Sequence, residues 1–291
     1  MALAKRRSTA WATEINDLVR GACGGFLFGI PLLYTMEVWW IGSMAQPPRI
    51  MMAIVGTFIA VFWLNRTEGF RKTSRSRPYE ALTDTVEAMA IGLVCSAFVL
   101  LLLRELTLDV PLRESLGKVI FESVPFTLGV ALANQFLGDT RDAESKPSDN
   151  SQPTDHKDAL NATLADIGAT LLGAIVVGFN ISPTDEIRTL AAALSAPWLL
   201  GIMAASLLIS YGIVFEAGFS DQRKRRQQQG IFQRPLSETI MSYLVSLLAA
   251  AMMLWFFDRL TFSDPWTMWL EQILLLGLPT TIGGAAGRLA V

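Results

Sequence analysis

Eight long apolar stretches divide the chain, and polar residues collect in the shorter segments between them. A helix needs about 20 apolar residues to cross a bilayer, because it rises about 1.5 Å per residue through about 30 Å of hydrocarbon. The pattern therefore predicts an all-α, polytopic helical membrane protein with about eight spans. We place these spans at about residues 15–33, 48–65, 84–103, 117–137, 159–180, 197–216, 237–257 and 267–289.

Composition supports a membrane protein and argues against an enzyme. Hydrophobic residues make up 52% of the chain and charged residues 17%, whereas a soluble domain carries about 25% charged residues. The only histidine is His156, which excludes histidine-ligated zinc sites and most Ser-His or Cys-His catalytic arrangements. No phosphate-binding Gly-Lys-Ser/Thr loop occurs. We predict no enzymatic activity and no cofactor, and the residues identify no metal.

The two halves of the chain repeat the order of their polar and helix-breaking residues. At an offset of 149 residues, Gly24 matches Gly173 and Glu37 matches Glu186. At an offset of 154 residues the matches are Asp84 with Glu238, Pro111 with Pro265, Pro125 with Pro279 and Gly129 with Gly283. We therefore predict two parallel four-span membrane repeats, residues 1–137 and 159–291, related by an axis along the membrane normal.

Basic residues predict the orientation, and a polar segment predicts a linker. Residues 138–158 are rich in Asp, Ser, Pro and Asn, so they cannot bury enough surface to order and form a disordered linker. Lys and Arg number 16 in this linker, the first 18 residues and the loops 66–78 and 219–235, against 6 in the segments facing the other side. Both termini and the linker are therefore predicted to be cytoplasmic. The basic loops are expected to contact anionic lipid, and nucleic acid is not needed to explain them.

Two segments interrupt apolar stretches with a carboxylate. Residues 29–38 contain Glu37, and residues 178–187 contain Glu186 after a Ser-Pro-Thr-Asp sequence that favours the start of a helix. The helices that follow, within 34–46 and 183–195, are too short to cross a bilayer. Each is either an interfacial helix with a solvated acid or a re-entrant half-helix whose acid lines a water-filled path.

Other polar residues lie inside or beside the predicted spans. A charge at the centre of a membrane helix costs about 2.5–3.5 kcal/mol, so an intramembrane acid is a candidate for function. Arg104 or Lys118 could instead pair with Glu122 and make it structural. The candidates for an ion pathway are Glu37, Glu186, Asp185, Asp166, Glu122 and Asn180.

Three motifs carry a resemblance to a known family. They are Pro-Leu-Leu-Tyr-Thr-Met-Glu-Val-Trp-Trp at 31–40, Ser-Val-Pro-Phe at 123–126 and Ser-Pro-Thr-Asp-Glu-Ile at 182–187. With them the chain resembles, over nearly its whole length, a bacterial family of integral membrane proteins of unknown function. The resemblance implies a bacterial inner-membrane location and supplies no activity, ligand or site residue.

Two classes of function follow from these observations. The first is a cation or proton channel or ion-coupled transporter whose acidic residues line the path. The second is a membrane scaffold or assembly factor that transports nothing and whose acids are structural. The expected partners are the lipid bilayer and a small cation or proton. Whether the chain forms a homo-oligomer is left open by the sequence. Convergence of the acids on one polar cavity would favour the first class.

Overall fold

The structure is a computed structural model that describes residues 2–67, 78–137, 156–217 and 235–289. Within these ranges it contains helices and no strands, which confirms the all-α prediction. The predicted linker lies outside the described residues up to position 155, and its last three residues open a helix. The helices are α1 (Ala2–Leu33), α2 (Met36–Ser43), α3 (Pro47–Thr67), α4 (Pro78–Leu102), α5 (Leu112–Leu137), α6 (His156–Ile181), α7 (Glu186–Ala193), α8 (Ala196–Tyr211, continued by a π-helical turn, Gly212–Glu216), α9 (Pro235–Phe256) and α10 (Trp266–Leu289).

Six of the described helices are long and apolar enough to cross a membrane: α3, α4, α5, α6, α8 and α9. α1 joins them only together with α2, to which it is bent by 86°. Helix α10 is not in the set; Glu271, Gln272 and Arg288 and several glycines and threonines accompany its leucines. Most of α10 is buried by neighbouring helices, so protein replaces lipid around it. Each of the eight predicted stretches thus contains a long helix, while six, or seven with the bent pair, have the character of a membrane span.

Helices α5 and α10 are the central helices of the two halves. α5 packs against α1, α2, α3 and α4, and α10 packs against α6, α7, α8 and α9. Glycines bring backbones together in both places. A Cβ atom on Gly24 would lie 2.4 Å from the Ala133 Cβ, and one on Gly173 would lie 2.1 Å from the Gly283 carbonyl oxygen. Side chains larger than hydrogen are therefore excluded from these crossings.

The breaks after α1 and α6 have the same hydrogen bonds. The Thr35 amide and hydroxyl donate to the Leu32 carbonyl at 3.1 and 2.6 Å. The Thr184 amide and hydroxyl donate to the Ile181 carbonyl at 3.1 and 2.6 Å. Each threonine satisfies a carbonyl at the end of the long helix, and the chain turns into the short helix α2 or α7.

The ends of α4 and α9 also share one geometry. Arg104 has φ 60° and Asp258 has φ 55°, the left-handed conformation that closes many helices. The next amides, of Glu105 and Arg259, donate back to the Leu100 and Leu254 carbonyls at 2.8 and 2.9 Å. Both helices therefore end in a closed loop that leads into α5 or α10.

The two halves meet through α1 and α4 on one side and α8, its π-helical turn and α10 on the other. The buried Tyr34 hydroxyl donates to the Leu275 carbonyl at 2.9 Å across this contact. In a regular helix that carbonyl would accept from the amide of residue 279, but Pro279 has no N–H. Tyr34 therefore supplies the donor that the proline removes from α10.

Candidate functional site

The predicted site residues beside the helix breaks lie near or at the surface. Glu37 is exposed in the first turn of α2. Glu186 is half-buried in the first turn of α7, and its Oε2 atom is buried without a hydrogen-bond partner. Asn180 is exposed and donates to the Val176 carbonyl at 2.9 Å. The structure does not bring these three residues together in one described cavity.

Asp185 is held in an ion pair at the end of the second half. Arg259 Nη1 lies 2.6 Å from Asp185 Oδ1, and the same guanidinium donates to the Pro183 carbonyl. The Asp185 side chain is 80% exposed, so water screens the pair. The pair connects the start of α7 to the loop between α9 and α10, and this favours a structural role for Asp185.

Asp166 lies half-buried on α6. One turn later, the Thr170 hydroxyl donates to the Asp166 carbonyl at 2.7 Å. Thr170 Oγ1 also lies 3.4 Å from Ser242 Oγ on α9. Asp166 therefore lies one turn from a polar contact between α6 and α9, apart from the residues at the breaks.

A buried lysine, Lys118, lies near the start of α5. Lys118 is 6% exposed, and its Nζ lies 3.3 Å from Glu105 Oε2 and 3.2 Å from Glu114 Oε1. Nζ also donates to the Glu105 carbonyl at 3.3 Å and lies 5.4 Å from the centre of the Trp39 ring. Two carboxylates, a carbonyl and an aromatic face thus surround the ammonium group, which compensates for its loss of water.

Glu122 follows Lys118 by one helical turn and is completely buried. Neither of its carboxyl oxygens has a hydrogen-bond partner among the described residues. Of the two cations that could pair with it, Lys118 pairs with Glu105 and Glu114, and Arg104 lies over the Trp198 ring at 5.9 Å. An ionised, unpartnered carboxylate costs several kcal/mol inside a protein. The charged form of Glu122 therefore needs water or a cation to reach it.

The neighbours of α5 place Glu122 beside the break between α1 and α2. Phe126, one turn deeper on the same face, fills the space above Gly29 of α1, where a Cβ would lie 2.4 Å from the ring. Towards the other end, a Cβ on Gly117 would lie 2.1 Å from the Gly42 carbonyl oxygen of α2. Glu122 lies between these contacts along α5. It is therefore close in depth to Tyr34 and Thr35, where the two helices are broken.

The second half has a small cavity at the corresponding end. Its volume is about 60 Å³, and its lining consists of Thr184, Ile187, Arg188, Leu254, Asp258, Arg259 and Gln272. Nearby, the Thr261 amide and hydroxyl donate to Asp264 Oδ2 at 2.7 and 2.8 Å. These bonds, the amide bond foremost, hold the pKa of the Asp264 carboxyl below its usual range. The cavity has room for very few water molecules.

The opposite end of the second half contains a buried ion pair. Arg288 on α10 pairs with Glu238 on α9, and both are at most 5% exposed. The Arg288 guanidinium also lies 5.8 Å from the centre of the Phe215 ring in the π-helical turn. The sequence places both charges near helix ends but cannot show that they meet across two helices.

Among the described residues, no group of three His, Cys, Asp or Glu side chains could hold a metal ion.

Comparison with known proteins identifies the family. The family model described as "Putative integral membrane protein (DUF2391)" matches residues 17–291. No curated protein and no solved structure matches the chain. The match covers all the helices that carry the candidate residues, and the six candidate spans agree with its description. The chain therefore belongs to this family of integral membrane proteins, whose function is unknown.

Proposed function

We propose that the chain is a duplication of one membrane unit, α1–α5 and α6–α10, in a parallel arrangement with eight spans. Support comes from equivalent geometry at positions 149 or 154 residues apart. The matched features are the threonine turns at Thr35 and Thr184, the left-handed residues Arg104 and Asp258, and the crossings at Gly24 and Gly173. The helix starts at Pro47 and Ala196, and at Leu112 and Trp266, obey the same offsets. In this arrangement the break between α1 and α2 has its counterpart between α6 and α7.

We further propose a location in the bacterial inner membrane with both termini in the cytoplasm. The excess of Lys and Arg in the cytoplasmic segments supports this orientation. The basic loops, which lie outside the described residues, would then face anionic lipid headgroups. In this orientation α2, α7 and Lys118 with its partners Glu105 and Glu114 lie at the outer end of the helix bundle.

We propose that the protein moves protons or small cations across the membrane, with Glu122 as the central carboxyl group. One observation carries this proposal: Glu122 is completely buried in a candidate membrane span, and neither of its oxygens has a hydrogen-bond partner among the described residues. A permanently buried acid without partners contributes nothing to stability, whereas an acid that exchanges a proton or cation must be free to bind one. The proposed activity is therefore non-enzymatic.

The residues around Glu122 form steps from the aqueous edge towards the membrane interior. Glu114 is 37% exposed and contacts Lys118 at 3.2 Å, and Lys118 contacts the less exposed Glu105 at 3.3 Å. Glu122 lies one turn deeper, about 6 Å along the helix axis. A proton or cation arriving at Glu114 would weaken its hold on Lys118, and the freed ammonium group could then turn towards Glu122. Lys118 would in this way couple the surface to the buried acid.

The duplication would give one such site in each half, but the second half lacks the ionisable residues of the first. The residues of the second half that correspond to Glu105, Lys118 and Glu122 are Arg259, Gln272 and Leu276. None of these three can release a proton at neutral pH. We propose that the second half keeps the architecture and that only the first half performs the exchange.

The other candidate residues have secondary roles in this proposal. Glu37 and Glu186 begin α2 and α7, where the helix N-terminus favours an ionised carboxylate and can attract cations. Asp166 and Asn180 are polar positions on α6 that could hydrate the second half. Asp185 already has Arg259 as its partner.

The test is ion flux into liposomes that contain the purified protein and an internal pH-sensitive dye. We expect a pH gradient to decay faster with wild type than with empty liposomes, and Glu122→Gln to remove this difference. Glu37→Gln/Glu186→Gln should slow the flux without abolishing it. Asp109→Asn is the matched control, because it removes an exposed carboxylate from the loop before α5. Wild-type flux that Glu122→Gln leaves unchanged would refute the role of Glu122.

The alternative function is a membrane scaffold or assembly factor. It is favoured by the small volume of the cavity and by the exposure of Glu37 and Asp185 at the surface. Repeating the flux measurement with several cations separates the two functions. If folded wild-type protein moves neither protons nor any of these cations, the scaffold is the better account.

A further inference from the structure

The two halves contact each other through helices that are not counterparts of one another. α1 and α4 of the first half pack against α8, its π-helical turn and α10 of the second half. The reciprocal pairs, α6 and α9 against α3 and α5, do not pack together in the described part of the chain. If the halves are copies of one unit, this interface is head-to-tail. A head-to-tail interface leaves one unused copy of each face.

We propose that the unused α6–α9 face of one chain docks on the unused α3 face of a second copy, which repeats the internal interface between chains. This inference rests on the duplication proposed above. The partner is thus a second copy of this chain, in the same orientation in the membrane. Repetition around an axis along the membrane normal would close a ring of chains.

The two faces are exposed although their counterparts are covered. Only 11% of the α3 span is buried, against 50% of the span formed by its counterpart α8. Large apolar side chains are exposed on both unused faces. Met52 and Trp63 on α3 are 65% and 72% exposed, and Leu172 on α6 and Phe256 at the end of α9 are 67% and 62% exposed.

The internal interface predicts which of these residues meet. Leu102 contacts α8 at Gly201, where a Cβ would lie 3.6 Å from Leu102 Cδ1. The offsets of 154 and 149 residues convert this contact into Phe256 of one chain against Met52 of the next. Both converted residues lie at the α2–α7 end of the bundle, so their depths agree.

A second internal contact gives a second pair. A Cβ on Gly212 would lie 3.1 Å from Cys23 Sγ. The offset of 149 residues converts this contact into Leu172 against Trp63. The two converted pairs place larger side chains where glycines touch in the internal interface. The copies would therefore stand further apart than the halves do, with these side chains filling the space.

A charged pair supports the same register. Internally, the Arg104 guanidinium lies 5.9 Å from the centre of the Trp198 ring. The conversion gives Asp258 of one chain opposite Arg49 of the next, and both are exposed. Opposite charges at a converted position fix the register and orientation of the docked copy. Covering these faces with lipid alone would require no such complementarity.

The test is cross-linking between two differently tagged chains in liposomes, each carrying a single cysteine in a Cys23→Ala/Cys95→Ala background. We expect Met52→Cys on one chain and Phe256→Cys on the other to form the mixed product with a bifunctional thiol reagent. Trp63→Cys with Leu172→Cys should do the same. Leu248→Cys in place of Phe256→Cys is the matched control, because it is 57% exposed on α9 at a different depth. The control should give several-fold less product.

A charge exchange makes the test specific. Arg49→Asp should lower the yield of the Met52–Phe256 product several-fold, and adding Asp258→Arg on the other chain should restore it. Mixed yields no higher than the Leu248 control, or a dominant Met52–Met52 product, would overturn the proposal. So would a single-chain mass for the protein in lipid nanodiscs. None of these readouts measures flux. A negative cross-linking result therefore does not affect the proposed role of Glu122, and an absence of flux does not affect the proposed ring of chains.

Discussion

Removing the Tyr34 hydroxyl should destabilise the contact between the two halves. This hydroxyl donates to the Leu275 carbonyl at 2.9 Å, and Pro279 deprives that carbonyl of its helical donor. Tyr34→Phe keeps the ring in its buried place and removes only the donor. The carbonyl would then be buried without a partner, since Leu275 is fully buried.

The magnitude follows from that loss. A buried polar group left unsatisfied costs about 1–3 kcal/mol. Measured hydrogen bonds between membrane helices average about 0.6 kcal/mol and reach about 1.7 kcal/mol. Because this carbonyl has no alternative donor in its own helix, we expect Tyr34→Phe to lower the free energy of unfolding by about 1–2 kcal/mol.

The assay is SDS-induced unfolding in mixed micelles, with Tyr243→Phe as the matched control. Tyr243 is also buried, but its hydroxyl has no hydrogen-bond partner in the described part of the chain, so its removal should cost nothing. A double-mutant cycle with Pro279→Ala isolates the cause, because alanine returns an amide donor to the Leu275 carbonyl. In the Pro279→Ala background Tyr34→Phe should cost clearly less. Equal costs in the two backgrounds, or equal effects of Tyr34→Phe and Tyr243→Phe, would refute the reasoning.

Three further predictions use the same unfolding assay. Gly173→Ala should cost about 2 kcal/mol or more, because its Cβ would lie 2.1 Å from a carbonyl oxygen, whereas Gly56→Ala, with nothing within 4 Å, should cost nothing. Arg288→Met should cost about 3–5 kcal/mol by removing the cation that pairs with the buried Glu238, and Arg288→Met/Glu238→Leu should recover most of this loss. The lowered pKa of Asp264 contributes stability above the ordinary pKa of 3.8 that is lost as pH falls through the folded value. Asp264→Asn should therefore flatten the acid side of the stability profile slightly, and an unchanged profile would contradict this assignment.

Sequence periodicity predicts the helices well because a membrane span needs a long apolar run. All eight predicted stretches contain a long helix, and the breaks predicted near Glu37 and Glu186 occur beside Thr35 and Thr184. Hydropathy alone does not settle the number of spans, because it does not distinguish lipid from protein as the surroundings of a helix. Helix α10 illustrates this, since its glycines and threonines are tolerated where neighbouring helices bury them.

The candidate site could be predicted only in part. An acid inside an apolar stretch is visible in the sequence, so Glu122 is found, but so are Glu37 and Asp185, which the fold leaves exposed. The partners of Lys118 are not visible, because a long side chain can reach back to Glu105 in the preceding loop as easily as forward along α5. Helix spacing gives the face of a residue but not the helix that covers it.

The most direct test of the central claim is proton flux in liposomes with Glu122→Gln and Glu122→Asp at matched amounts of folded protein. If Glu122 exchanges a proton or cation, the aspartate variant should keep part of the wild-type flux, because it retains a carboxyl group, and the glutamine variant should lose it. The glutamine variant should also be at least as stable as wild type, because it removes a buried, unpartnered carboxyl group. Wild-type flux in both variants would contradict the account.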